Sequence, residues 1–396
     1  MLGVTNISES GAVKVGLEEI TKHGAIYSAV KSMKWPGDAN INVAIVHVCK
    51  QTWKGELRLN GVETDKIYPN LTNETFGEPK KIATHICATQ GLDSTYIDFL
   101  YVDPESNLAK KILEQSQTIL VPIVNGQIIT NTSLKKFDYY VIYAGDKSLE
   151  EIRRESEAAY QFLISIRKQR LGKIREKSGS YKGWEERWWQ HWNTRAEFFN
   201  QHPQRDRLIY PVLTKYPIPR HVCGILATNQ AVIIPVVFED LHALTLSSAM
   251  QHWLATFTGA KKGADAVQIS IVLSSLRNFP CPKKSLPEAT KDWAREFDSY
   301  LRDQGGITPA MNRFHNASDK AAKVERVREL QRLIDKAVIG AYGWTDLELS
   351  YEFSDQGLGG RYGLKEATRK ELLRRLVRLN NEYWEEQNPK TAKEKQ

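Results

Sequence analysis

From Arg167 to Arg187 the chain sets eight basic side chains against three glutamates. The cations are Arg167, Lys168, Arg170, Lys173, Arg175, Lys177, Lys182 and Arg187. Trp184, Trp188, Trp189 and Trp192 run through the end of this stretch, and Arg195 follows. Two chemistries fit it. Lysine and arginine can neutralise backbone phosphates while exposed indoles stack on bases. A solvated helix end followed by buried tryptophans gives the same composition. The residue types leave both open.

Other constellations carry less. Cys49, Cys87, Cys223 and Cys281 are scattered, so no CxxC clip for zinc forms, and the pattern suits free thiols in a reducing cytosol. His315 in Arg313-Phe314-His315 has no second ligand at metal spacing, which favours a capping or core role. Asp103, Glu105 and Lys110 are nuclease-like residue types, but Glu105 and Lys110 fall in one expected helix and not on facing strands. No Gly-rich phosphate loop, GxSxG elbow or HExxH motif occurs. Asn70 and Asn73 match the glycosylation pattern, yet MLGVTNISESG lacks the basic and apolar regions of a signal peptide, so the match reads as accidental. No run of about eighteen apolar residues exists to span a membrane. A cytoplasmic protein is expected. The net charge of +8 favours an anionic partner without identifying it.

These residues need elements to hold them. Leu2 to Thr5 reads as a short strand, and Val13, Leu17 and Ile20 share the face of a helix stopped at Gly24. Ala25–Lys34 and Asn40–Val48 form a hairpin about Trp35-Pro36-Gly37-Asp38. Three strands with one helix cannot cover both faces of a sheet, so the segment reads as the last part of a domain. Residues 55–95 read as loop-rich, 96–102 as a strand, and a helix starts at Asp103-Pro104. Asn125-Gly126 is expected to turn a hairpin inside LVPIVNGQII. Ser148 and Glu151 make a capping box for a long helix running past Leu171. Residues 207–275 are strand-rich with one helix near 244–257, 277–284 are an extended linker, and the remainder is helical. Gly343 is a C-cap in AYGW, and the tail NPKTAKEKQ reads as disordered.

Together these stretches carry a resemblance. TNISESG, GLEEITKHGAIYSAVKSMKWPGDANINVAIVHV, FDYYVIYAGDKSLEEIRRESEAAYQFL, RWWQHWNTRAEFF, LSSAMQHWL, LRNFPCP, GGITPAMNRFHN, LQRLIDKAVIGAYGWTDLEL and RKELLRRLVRLNNEYWEE resemble, in order, the carboxy-terminal half of type IIG restriction–modification proteins. That family methylates adenine in DNA. Cys281 stands where the family's Phe-Pro-Phe-Pro linker has its second Phe. The resemblance implies an α/β remnant of a class I methyltransferase sheet over 1–70 and a connector with strands and the basic helix over 71–178. A mixed α+β target recognition domain would follow over 179–284, then a helical carboxy-terminal region over 285–396. It implies double-stranded DNA as partner, contacted by the eight cations, Trp189 and Arg195. Thr5 and Asn6 would lie at the rim of the S-adenosylmethionine pocket, and Trp35 and Pro36 near a flipped base.

The departure concerns catalysis. The family's Phe-x-Gly-x-Gly donor motif and its Asn-Pro-Pro-Phe/Tyr motif are both absent, so no catalytic residue is assigned. Adenine must be flipped out and held against the donor sulfonium, which needs both motifs. The expectation is the recognition half of an adenine-specific methyltransferase, with the catalytic motifs on an upstream or separately encoded part and no methyl transfer or tight donor binding by this chain alone. The alternatives are a stand-alone specificity protein docking on a catalytic chain, and a degraded gene product.

Overall fold

The computed structural model describes residues 2–4, 13, 15–35, 38, 42–177, 179–257, 261–262, 268–355 and 360–389. The first sheet is built from β1 (Leu2–Val4), β2 (Ala25–Lys34), β3 (Asn42–Cys49), β4 (Leu57–Leu59) and β5 (Val62–Thr64), with helix α1 (Leu17–His23) packed on it. Its strand order is β1-β3-β2-β4-β5, antiparallel except for the β2–β4 pair. Leu17, Ile26, Ala29, Ala44, Val46, Ile67 and Leu71 form a small core under one face. The hairpin therefore finds sheet partners inside this chain. The β4–β5 ribbon falls in the stretch read as loop. It turns at Asn60-Gly61, both at positive φ (52° and 82°), as a tight two-residue hairpin turn requires.

The next elements are β6 (Thr89–Gln90), β7 (Tyr101–Val102), α2 (Asn107–Gln115), β8 (Leu120–Val124), α3 (Gly126–Asn131) and β9 (Tyr140–Ile142). Residues 97–100 form a 3-10 turn where a strand was expected. The Asn125-Gly126 hairpin is also corrected. The Asn125 side chain accepts from the Ile128 N–H at 2.9 Å, and the segment after it coils into α3. The capping box at Ser148 and Glu151 is present. The long helix is broken into α4 (Leu149–Glu155) and α5 (Glu157–Arg175), because Ser156 takes an extended backbone and caps the second piece.

Next come α6 (Ala196–Gln201), β10 (Asp206–Pro211), β11 (Leu213–Thr214), β12 (Arg220–Cys223), β13 (Leu226–Ala227) and β14 (Ala231–Pro235). They are followed by α7 (Leu241–Leu246), α8 (Ser248–Thr256), β15 (Lys261–Lys262), β16 (Gln268–Ser270) and α9 (Leu273–Arg277). Three small sheets result, in the orders β12-β10-β14-β6, β13-β8-β9-β7 and β11-β16-β15. All five residues of β14 are buried, which explains its unbroken apolar run. The closing elements are α10 (Ala289–Asp303), α11 (Ile307–Phe314), α12 (Ala322–Tyr342), β17 (Tyr351–Asp355), β18 (Gly360–Leu364) and α13 (Glu366–Gln387). The β17–β18 hairpin interrupts a region read as wholly helical.

One core runs from Ile86 to Val377 and joins the connector, the strand-rich middle and the helical end. The linker at 277–284 threads across that end. The carbonyl of Asn278 accepts from the Asn380 amide, that of Pro280 from the Tyr342 hydroxyl and that of Cys281 from the Tyr383 hydroxyl. Gly343 caps α12 in the left-handed conformation, as expected. No helix among the described residues is long and apolar enough to cross a membrane. The tail from 390 onward lies outside the described residues.

Candidate nucleic-acid interface

The basic stretch forms a corner where α5 ends and the chain folds back through two short 3-10 turns at 179–181 and 184–187. Its tryptophans pack to different depths. Trp184 is fully buried and Trp188 nearly so. The indole N–H of Trp184 donates to the Gln190 carbonyl at 3.1 Å, and that of half-buried Trp189 to the Lys147 carbonyl at 2.9 Å. These rings are packing anchors, with their polar tips satisfied inside the protein.

Arg170 holds the corner together. It is fully buried, and its guanidinium donates to the carbonyls of Trp188 at 2.7 Å, Gln190 at 2.9 Å and Tyr96. Burial lowers its pKa to about 10, so it remains a cation at neutral pH. The Arg170 guanidinium is thus taken up by carbonyls inside the corner. His191 sits beside it, buried, with Nε2 at 3.2 Å from the Ile142 carbonyl. Burial, and then the Arg170 charge, push His191 down to about 3.

The other cations divide by partner. Lys173 pairs with Glu176 at 3.0 Å and Arg175 with Glu185 at 2.8 Å. Lys177 lies over the Tyr96 and Tyr181 rings, and Arg187 lies over Trp192 while donating to its carbonyl at 3.1 Å. Arg167, Lys168 and Lys182 are exposed and have no carboxylate partner among the described residues, Arg167 resting against Trp188. Arg195 is half-buried in the left-handed conformation at φ 54°. Its Nε is buried without a hydrogen-bond partner among the described residues, and burial lowers its pKa against the opposing pull of Asp93.

The remaining expected sites fall elsewhere. Thr5, Asn6 and Pro36 lie outside the described residues, and Trp35 is exposed. Asp103 does turn work: its carboxylate accepts from the Glu105 N–H and its carbonyl from the Ser106 hydroxyl. His315 is partly buried, and its Nδ1 accepts from the Tyr362 N–H at 3.2 Å. Among the described residues no three His, Cys, Asp or Glu side chains gather to hold a metal, and all four cysteines are free.

A second group of cations was not legible in the sequence, because it is assembled from distant positions. Lys215 follows β11, Lys320 precedes α12 and Arg361 lies in β18. They surround Tyr216, Phe353 and Tyr362. The only local signal is the aromatic and charged residues set side by side in YEF and GRYGL.

No protein-family model matches the chain, and no curated protein matches it. Among solved structures it is similar to the type IIL restriction–modification enzyme MmeI, whose structure is of a complex with DNA. That match has 12% identity and a TM-score of 0.65, and covers 96% of this chain and 49% of that one. The chain thus has the fold of about half of that enzyme. The type IIG restriction endonuclease BpuSI aligns at 10% identity over 86% of this chain and 47% of that one, with a TM-score of 0.33, too low to carry an argument.

Proposed function

We propose that this chain supplies DNA target recognition to an adenine-specific DNA methyltransferase of a restriction–modification or related defence system. The observation that carries the reading is the fold shared along 96% of the chain with half of an enzyme solved on DNA. The motif resemblance agrees with it in order and extent. Arg167, Lys168 and Lys182 would meet phosphates, and side chains from the strand-rich middle would read base edges in the major groove. The complete enzyme would take S-adenosylmethionine as methyl donor, with the donor and amine-holding motifs on a separate catalytic part. Arg170, Trp184 and Trp188 act indirectly, by fixing the corner that carries the exposed cations.

Selection of bound duplexes from a randomised pool tests recognition. The reading expects enrichment of one short motif; recovery of no preferred sequence would remove it. Incubation with duplex DNA and labelled S-adenosylmethionine tests the division of labour, and incorporation into adenine by this chain alone would contradict it.

A further inference from the structure

The surface between β11 and the β17–β18 hairpin gathers unneutralised positive charge and bare apolar side chains. Arg361 is nine-tenths buried and lies flat over the Tyr216 ring, 4.9 Å from its centroid. It donates to the Lys215 carbonyl at 3.1 Å, but its Nε has no partner and no carboxylate pairs with it among the described residues. Lys215 lies over the same ring, and among the described residues its ammonium reaches only the Asn312 amide oxygen, at 3.3 Å. Lys320 sits 5.7 Å from the Phe353 centroid, and its nearest carboxylate, Glu325, is 3.9 Å away and already bonded to Arg328. His315, stacked on Tyr216, registers this field: burial first, then Arg361, Lys215 and Arg328, push it down to about 3.

The tryptophan corner is mixed: Arg167, Lys168 and Lys182 have no carboxylate partner among the described residues, but other cations do. There, Lys173 and Arg175 are cancelled by glutamates. Here, Lys215 and Arg361 keep their charge. Leu213 and Phe353 are the two large apolar side chains most exposed in the second half of the described chain, at 42% and 39%; Leu213 lies in β11, two residues before Lys215, and Phe353 lies in β17, beside Lys320. Bare apolar groups rimmed by cations suit a polyanion that also offers an apolar face. Sugars and base edges beside phosphates provide one.

Resting on the DNA-recognition reading, we propose that this surface is a second duplex-DNA contact. Lys215 and Lys320 take backbone phosphates, Arg361 maintains the positive potential behind them, and Leu213 and Phe353 pack against sugars and base edges. The rings from Tyr216 through His315, Phe314 and Tyr362 to Phe353 touch in sequence, so the two lysines stand apart and would meet different phosphates.

The test is a titration of a labelled duplex at several salt concentrations. It uses the full chain, Lys215→Ala/Lys320→Ala and Phe353→Ala. Every phosphate that the variant no longer neutralises should lower the slope of log affinity against log salt by about 0.9, so the double variant should fall by roughly two units. Phe353→Ala should weaken binding about tenfold with the slope unchanged, because no counterion is released where apolar groups meet. All three side chains have exposed ends, and unchanged thermal melting would show that the fold is intact. An unchanged slope in the double variant overturns this inference while leaving the DNA-recognition reading standing. Absence of binding by the unaltered chain removes both.

Discussion

At the residue scale, the buried cations decide what the basic stretch is for. Arg170 serves three carbonyls at once, so its loss leaves three polar groups in a dry corner. Unpaired buried groups cost about 1–3 kcal/mol each, and Arg170→Met should lower unfolding free energy by on the order of 3–5 kcal/mol. Urea unfolding would measure it, and a loss below about 1 kcal/mol would show that the corner is not held by this side chain. His191 adds a pH dependence. Its folded pKa, about 3, is depressed below the ordinary 6.5. The unfolded chain therefore binds the proton first. The stability that neutral His191 contributes is present above about pH 6.5 and is lost as pH falls towards 3. The expected slope is up to about 1.4 kcal/mol per pH unit for this one group. His191→Asn should flatten the fall between pH 6.5 and 5, and an equally steep fall would place the acid sensitivity elsewhere.

At the element scale, the same dipeptide had two outcomes. Asn60-Gly61 turns the β4–β5 hairpin, whereas Asn125-Gly126 opens helix α3. The flanks explain the difference. Leu57-Arg58-Leu59 and Val62-Glu63-Thr64 alternate around the first pair, while Asn125 finds the Ile128 N–H to cap in the second. Periodic segments were legible: Val324, Val327, Leu330, Ile334 and Val338 all face the core from α12. Periodicity could not reveal that Arg328, Gln331 and Asp335 share that burial, because their partners come from distant segments such as Ser248 and Tyr351. The strand at β17–β18 was missed for a similar reason, being short and flanked by strong helices. One junction offers a sharp test. A methyl at Gly306, where φ is 128°, would fall 2.6 Å from the Thr130 carbonyl oxygen, at the seam between α3 and α11. A methyl at neighbouring Gly305 (φ 83°) meets nothing within 4 Å. Gly305→Ala should cost about 1–2 kcal/mol from backbone conformation alone. Gly306→Ala should cost about 2 kcal/mol more, since backbone must move. Equal melting shifts for the two variants would contradict the seam.

At the scale of the whole molecule, the described residues form one large core and one small one. The small core under the amino-terminal sheet contains few residues, and residues 73–74 tie the chain leaving it to α13 through Lys370–Asn73 and Arg374–Glu74. A smaller buried apolar area means a lower opening free energy, so amides of β2 and β3 should exchange at least about tenfold faster than those of α12 and β10. Equal protection would mean that the sheet is as firmly integrated as the main body. The order of segments and the acid–base balance were legible in the sequence. The division of the cations into cancelled, buried and available ones was not, since it depends on which carboxylate or carbonyl each side chain meets. That division bears directly on the central claim that this fold exists to hold DNA. Fluorescence anisotropy of a labelled duplex titrated with the full chain at rising salt tests it most directly. Saturable binding whose log affinity falls linearly with log salt, at about 0.9 per phosphate engaged, is the result the account predicts. No binding at low salt, or binding indifferent to salt, would contradict it.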